Sequence, residues 1–280
     1  MTNIGIVGLG LIGASLAGDL RQLGHQVYGV SRQQTTCDLA VAKGLVDRAT
    51  TNLDSLTTCE IIIICTPIDK ILITIEILTP HLSPTTIITD AGSVKESIVA
   101  PATQIWPNFV GGHPMAGKAE SGIAAAELGM FRDKPYVVTP IAETNPIAVD
   151  TIKNLVKALD CRLFEARPAD HDRAVAWISH LPVMISSSLI HAGLVNCPPE
   201  LLQLAQGLAS SGFRNTSRVG GGNPELGQMM AEYNRTALLE SLRAYQQDLA
   251  ATIQSIETHN WPELLAKLER TQAARPEFLE

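Results

Sequence analysis

No Cys-x-x-Cys pair occurs among Cys37, Cys59, Cys65, Cys161 and Cys197. Its absence removes the usual cysteine-built zinc site, and five scattered thiols form no closed disulfide framework. They are read as reduced, structural residues of a cytoplasmic protein, and no metal site is expected. Positive charge is scarce as well. With 21 Lys and Arg against 28 Asp and Glu, the formal charge is −7. That balance argues against a general nucleic-acid or anionic-membrane surface, while leaving room for a local basic pocket. The apolar run 61–64 is far too short to cross a bilayer. Residues 1–3 lead straight into a patterned segment, so no secretion signal is expected.

What remains is a chain of 280 residues, 45% apolar and 18% charged, able to bury a sizeable core and long enough for two domains. Short β-branched runs near 3–7, 25–30, 60–65, 86–90, 108–111, 136–139 and 162–164 alternate with helical stretches near 14–23, 68–78, 94–103 and 146–159. This alternation predicts βαβ units and a mostly parallel sheet. After residue 167 the strand signals stop. Helical spacing takes over at 170–192, 199–209, 225–256 (with a bend) and 262–273. The expected architecture is an α/β Rossmann-type dinucleotide-binding domain over 1–167 and an all-helical domain over 168–280. Weakly polar helices of the second kind bury apolar faces in a partner subunit, so a homodimer is expected.

Gly8-Leu9-Gly10-Leu11-Ile12-Gly13 reads G-x-G-x-x-G between the first strand and the first helix. Gly8 permits the tight turn, Gly10 removes a side chain where a pyrophosphate approaches, and Gly13 lets helix and strand pack closely. The helix start at Leu11, Ile12 and Gly13 offers N–H groups to the phosphates. An NAD site would place Asp or Glu after the second strand. Here Ser31-Arg32 follows, with no acid until Asp38. A hydroxyl and a guanidinium suit the extra phosphate of NADP, which is the expected cofactor; the alternative is that Arg32 is a solvated strand-end residue.

Ligands of such sheets bind beyond the carboxyl ends of the strands. Cys65-Thr66-Pro67 is expected to line the nicotinamide side. Asp90-Ala91-Gly92-Ser93-Val94-Lys95 follows the next strand, with Ser93 a candidate N-cap and active-site hydroxyl. His113, set between Gly111-Gly112 and Pro114 and expected in a loop, is the catalytic candidate. A near-neutral imidazole can accept an alcohol's proton while the carbinol hydrogen leaves as hydride. Its alternative is a bond to loop backbone. His180, before Leu181-Pro182, interrupts an apolar helical pattern and is a second candidate, whereas His171 lies at a helix start, where a structural role weighs at least as much as a site role. Arg214 and Arg218 precede Gly220-Gly221-Gly222 and suit carboxylate recognition, Arg218 more than Arg214, whose alternative is a helix-end salt bridge.

Taken together, GLGLIG at 8–13, DAGSVK at 90–95, GGHPMAG at 111–117, ADHDRAVAWISHLP at 169–182 and GFRNTSR at 212–218 resemble the prephenate/arogenate dehydrogenase family of tyrosine biosynthesis. The resemblance implies oxidative decarboxylation of a cyclohexadienol, with His113 catalytic and Ser93 beside it on the ring hydroxyl. It implies Arg218 on the substrate's carboxylate, and His180 lining the site. Two departures bear on the substrate. Prephenate-preferring members carry histidine where this chain has Val183 and tryptophan near Gly227, so arogenate is expected over prephenate. Neither a chorismate mutase domain nor a regulatory domain is expected to be attached. The rivals are a β-hydroxyacid dehydrogenase, whose lysine is missing from 174–200, and a non-catalytic NADP-binding sensor, which has no use for His113, Ser93 and Arg218 together.

Overall fold

The structure is a computed structural model that describes residues 1–118 and 120–278. Its sheet begins with β1 (Asn3–Val7), α1 (Leu11–Gln22), β2 (Gln26–Val30), α2 (Gln34–Ala42) and β3 (Arg48–Thr50). It continues through β4 (Ile61–Ile64), α3 (Ile68–Leu78), β5 (Ile87–Asp90), α4 (Glu96–Ile105) and β6 (Phe109–Pro114). β7 (Pro135–Thr139), α5 (Pro146–Ala158) and β8 (Arg162–Glu165) complete it. The strand order is β3-β2-β1-β4-β5-β6-β7-β8. All neighbours run parallel except β6 and β7.

Four consecutive isoleucines explain how the sheet is covered. Side chains alternate across a strand, so Ile61 and Ile63 join the core under α1 and α5, and Ile62 and Ile64 join the core under α3 and α4. All four are buried, each contributing about 1.5–3 kcal/mol over exposure. The order reverses between β1 and β4, where Val7 pairs with both Val30 and Ile64. A crevice at the carboxyl ends therefore opens at that seam.

β6 departs from expectation. The strand does not stop at Gly111 but runs to Pro114, and His113 is not in a loop: it pairs with Val137 of β7. Crowding explains the glycines. A Cβ at Gly111 would press on Thr139 and on Val99, 2.6 Å away, and one at Gly112 would lie 2.8 Å from the Asp90 carbonyl oxygen. The pair permits close strand packing, not a turn.

The helical segments are α6 (Pro168–Val175), a π-turn at Ala176–His180, α7 (Leu181–Asn196), α8 (Pro199–Leu208), α9 (Ser211–Ser217), α10 (Pro224–Tyr233), α11 (Arg235–Glu257) and α12 (Trp261–Ala274). The expected bend in 225–256 falls at Asn234, which ends α10. The run Pro168–Asn196 is, by length and composition, long and apolar enough to cross a bilayer. Met1–Arg235 and Thr236–Glu280 form separate compact units. In the second, Lys267 Nζ bonds Asp248 Oδ2 at 2.6 Å and Thr252 Oγ1 at 2.7 Å.

Candidate active site

The glycine turn has the shape a pyrophosphate site requires. Gly8 takes φ +98° and its N–H donates to Val30 O at 2.8 Å. A Cβ there would sit 2.7 Å from the Cys65 carbonyl oxygen, and one at Gly13 would collide with the Gly8 carbonyl. At Gly10 a Cβ would meet nothing within 4 Å, so the outer side of the turn is open. α1 starts at Leu11 with no side-chain cap and no acid in its first turn. The N–H groups of Leu11, Ile12 and Gly13 thus lack helical acceptors and carry the positive end of the dipole.

Cys65 lies under this turn, its Cβ 3.1 Å from where a Gly13 side chain would begin. Burial, with Asp90 nearby, pushes its thiol far up, so it packs and does not react. Thr66 Oγ1 is buried with no bond to another described residue. Ser31 is half-buried and Arg32 exposed. Arg32 borders a cleft of 410 Å³ with Pro67, Lys70, Glu225, Glu232 and Tyr233. The open backbone donors of the glycine turn fit the phosphates of a dinucleotide.

Beyond β5 lies a buried polar cluster. The fully buried Lys95 forms an ion pair with Asp90 Oδ2 and donates to Gly112 O at 2.8 Å. Asp90 also accepts from Gly92 N at 2.9 Å and Gly112 N at 3.1 Å. The strand ends carrying Ser93 and His113 are therefore tied to one carboxylate. Ser93 is not an N-cap, because α4 begins at Glu96 and Asp172 accepts the N–H groups of Lys95 and Glu96, each at 2.8 Å. Its Oγ is buried without a bond to another described residue.

His113 Nδ1 lies 2.8 Å from His171 Nε2, and His171 Nδ1 lies 2.7 Å from Asp172 Oδ1. Burial, then the nearness of His171, Lys95 and His180, holds His113 well below the usual imidazole range. It is therefore neutral at physiological pH and able to act as a base. His180 is fully buried and pushed down to about 4, chiefly by burial. Its Nδ1 lies 3.0 Å from Asn234 Nδ2, while its Nε2 has no bond to another described residue.

Arg214 and Arg218 are not joined to this cluster. Both are exposed, on α9 and on the short turn Arg218–Gly221 after it, and no bond links either guanidinium to the histidines among the described residues. The turn is held to α7 by Gly220 N, which donates to Ser186 Oγ at 2.8 Å. Asp90, Lys95, His171, Asp172 and Asn234 belong to the site but were not assigned from sequence. A lysine within a small-residue turn at a strand end and an adjacent His-Asp pair were the available signals.

The glycine turn, the reversal in strand order and the free helix start define a dinucleotide-binding Rossmann-type domain followed by helices. Residues 16–165 match the family described as "Prephenate dehydrogenase, nucleotide-binding domain", and residues 167–270 match "Prephenate dehydrogenase, dimerization domain". The chain belongs to the prephenate dehydrogenase family. It is 54% identical to the Synechocystis arogenate dehydrogenase of known structure, with 99% of each chain covered and a TM-score of 0.86. It is 32% identical to the Bacillus subtilis prephenate dehydrogenase over 84% of this chain, and spans 65% of that protein's length. Similarity to the Zymomonas mobilis cyclohexadienyl dehydrogenase is 30%, over 98% of this chain and 94% of that one.

Proposed function

We propose that this chain converts L-arogenate to L-tyrosine by oxidative decarboxylation, with NADP as the hydride acceptor. The observation that carries the reading is His113, a buried imidazole held neutral near His180, while the Ser93 hydroxyl and the His180 Nε2 are each buried without a bond to another described residue. His113 accepts the proton of the ring hydroxyl, with Ser93 bonding the same oxygen. Bound NADP would supply the acceptor for the hydride from the carbinol carbon. The dienone so formed is an electron sink: the bond to the ring carboxylate breaks, carbon dioxide leaves, and its electron pair aromatises the ring. The phenolate oxygen takes the proton back from His113, so none is gained or lost. Arg218, aided by Arg214, is proposed to hold a substrate carboxylate.

Two further features favour arogenate. A Cβ at Gly227 would lie 3.8 Å from Val183 Cγ1, so the two departures from the prephenate-preferring pattern adjoin. Neither Val183 nor Gly227 offers a side chain that could pair with a pyruvyl group. The 54% identity to an arogenate dehydrogenase points the same way. Ser31-Arg32, with no acid until Asp38, favours NADP. The division of labour at 167/168, a homodimer joined through the helices and a cytoplasmic location are parts of the same reading.

Steady-state turnover with arogenate and prephenate, each with NADP and NAD, tests it. Arogenate with NADP is expected to give the highest kcat/KM. Equal or better use of prephenate overturns the substrate, and equal use of NAD overturns the cofactor. His113→Asn should lower kcat by about 10²-fold or more, with little change in NADP affinity.

A further inference from the structure

We infer that His171 and Asp172 are positioning residues that fix which nitrogen of His113 carries its proton. The inference rests on the reading above, in which His113 takes a hydroxyl proton. It starts from one group whose hydrogen-bonding role is not in question. A carboxylate oxygen accepts, so the 2.7 Å contact between Asp172 Oδ1 and His171 Nδ1 requires the His171 proton to sit on Nδ1. A neutral His171 then presents a lone pair at Nε2. That lone pair lies 2.8 Å from His113 Nδ1, which must therefore carry the N–H. Only Nε2 of His113 is left as the basic nitrogen. In the other tautomer Nε2 would point a proton at the substrate hydroxyl and could not remove one.

The anchor of this chain is itself held. Asp172 accepts from Lys95 N at Oδ1 and from Glu96 N at Oδ2, so the start of α4 fixes the plane of the carboxylate. Asn234 Nδ2 bonds the Asp172 carbonyl oxygen at 2.8 Å. His113 and His171 meet edge to face, with rings 5.0 Å apart and 70° between planes, which leaves the far edge of His113 uncovered by His171. The charged and titratable groups around His113 are His171 and Asp172 on α6, Lys95 before α4 with its partner Asp90 on β5, and His180 on the π-turn. Once His113 has accepted a proton, His171 Nε2 can share the Nδ1 proton, bringing the positive charge one ring closer to Asp172. No other co-reactant is needed.

The tautomer can be read directly by ¹⁵N NMR on the full-length chain labelled at histidine, with His113 assigned by its loss in His113→Asn. The expected result is Nδ1 protonated and Nε2 bare; a protonated Nε2 overturns the inference. Turnover gives a second arm. His171→Phe keeps a ring but removes the acceptor, and should lower kcat by about 10²-fold with NADP affinity changed less than about threefold. His171→Gln offers an amide oxygen near the position of Nε2, and should recover about tenfold of that loss. Glutamine no better than phenylalanine would overturn the role. Should the phenylalanine variant fail to fold, the wild-type spectrum still decides. Absence of turnover by the wild-type chain on either substrate would remove the reaction proposed above, yet leave the tautomer measurement standing.

Discussion

Asn234 decides what His180 can offer. Its amide N–H groups are spent on the Asp172 carbonyl oxygen and on His180 Nδ1, so the neutral His180 ring carries its proton on Nε2. A donor at 180 thus accompanies an acceptor at 113. Protonating His180 would also set an N–H against the Asn234 amide, in a site where burial already disfavours charge. The consequence for stability has a definite sign. His180 titrates near 6.5 when unfolded and near 4 when folded, so between those values the unfolded chain binds the extra proton. Stability is full above about pH 6.5 and falls as pH drops toward 4. Urea unfolding at pH 7 and pH 5 should differ by about 2 kcal/mol from this residue, and His180→Asn should shrink that difference. An unchanged difference would mean that His180 is not held neutral. At this scale the sequence singled out His113 and His180 as candidates through their neighbours. It could not identify His171, because its role depends on which atoms face it from β6 and from Asp172.

Among elements, the Lys95–Asp90 pair is the joint between β5, α4 and β6. Lys95 is fully buried, and Asp90 accepts from three groups around it: Lys95 Nζ, Gly92 N and Gly112 N. Replacing one member strands the other's charge in the core. Lys95→Met is expected to cost about 3–5 kcal/mol in urea unfolding, and adding Asp90→Asn should recover part of it. A loss below about 1 kcal/mol for the single change would show that the pair is not buried as described. Most elements were legible in advance, since α3 is expected and found at 68–78 and β1 at 3–7. α2 and β3 were missed. α2 buries only Cys37 and Ala40, too few to print a period, and β3 is three residues long. The extent of β6 was misread because glycines that admit close strands look, in sequence, like glycines that make turns.

For the whole molecule, the apolar surface of the helical region calls for a partner. Leu201, Leu204 and Leu208 recur at helical spacing along α8, and each is more than half exposed. Leu208, together with Leu189, Leu194, Leu202 and Phe213, borders a groove of 500 Å³. Each leucine covered by a second chain contributes about 1.5–3 kcal/mol, and a stripe this continuous is unusual on a monomer surface. The same apolarity makes Pro168–Asn196 pass for a bilayer span on composition, although His171, Asp172 and His180 within it are buried and bonded to one another's neighbours. The family description of residues 167–270 as a dimerization domain fits a second copy as the covering partner. Sedimentation at micromolar concentration should give twice the 30.0 kDa chain mass. Because a symmetric interface places each substitution on both sides, Leu204→Asp with Leu208→Asp should shift the mass to that of one chain while leaving the helical circular dichroism intact. A wild-type chain that sediments as a monomer would remove the dimer, and the stripe would then need another partner.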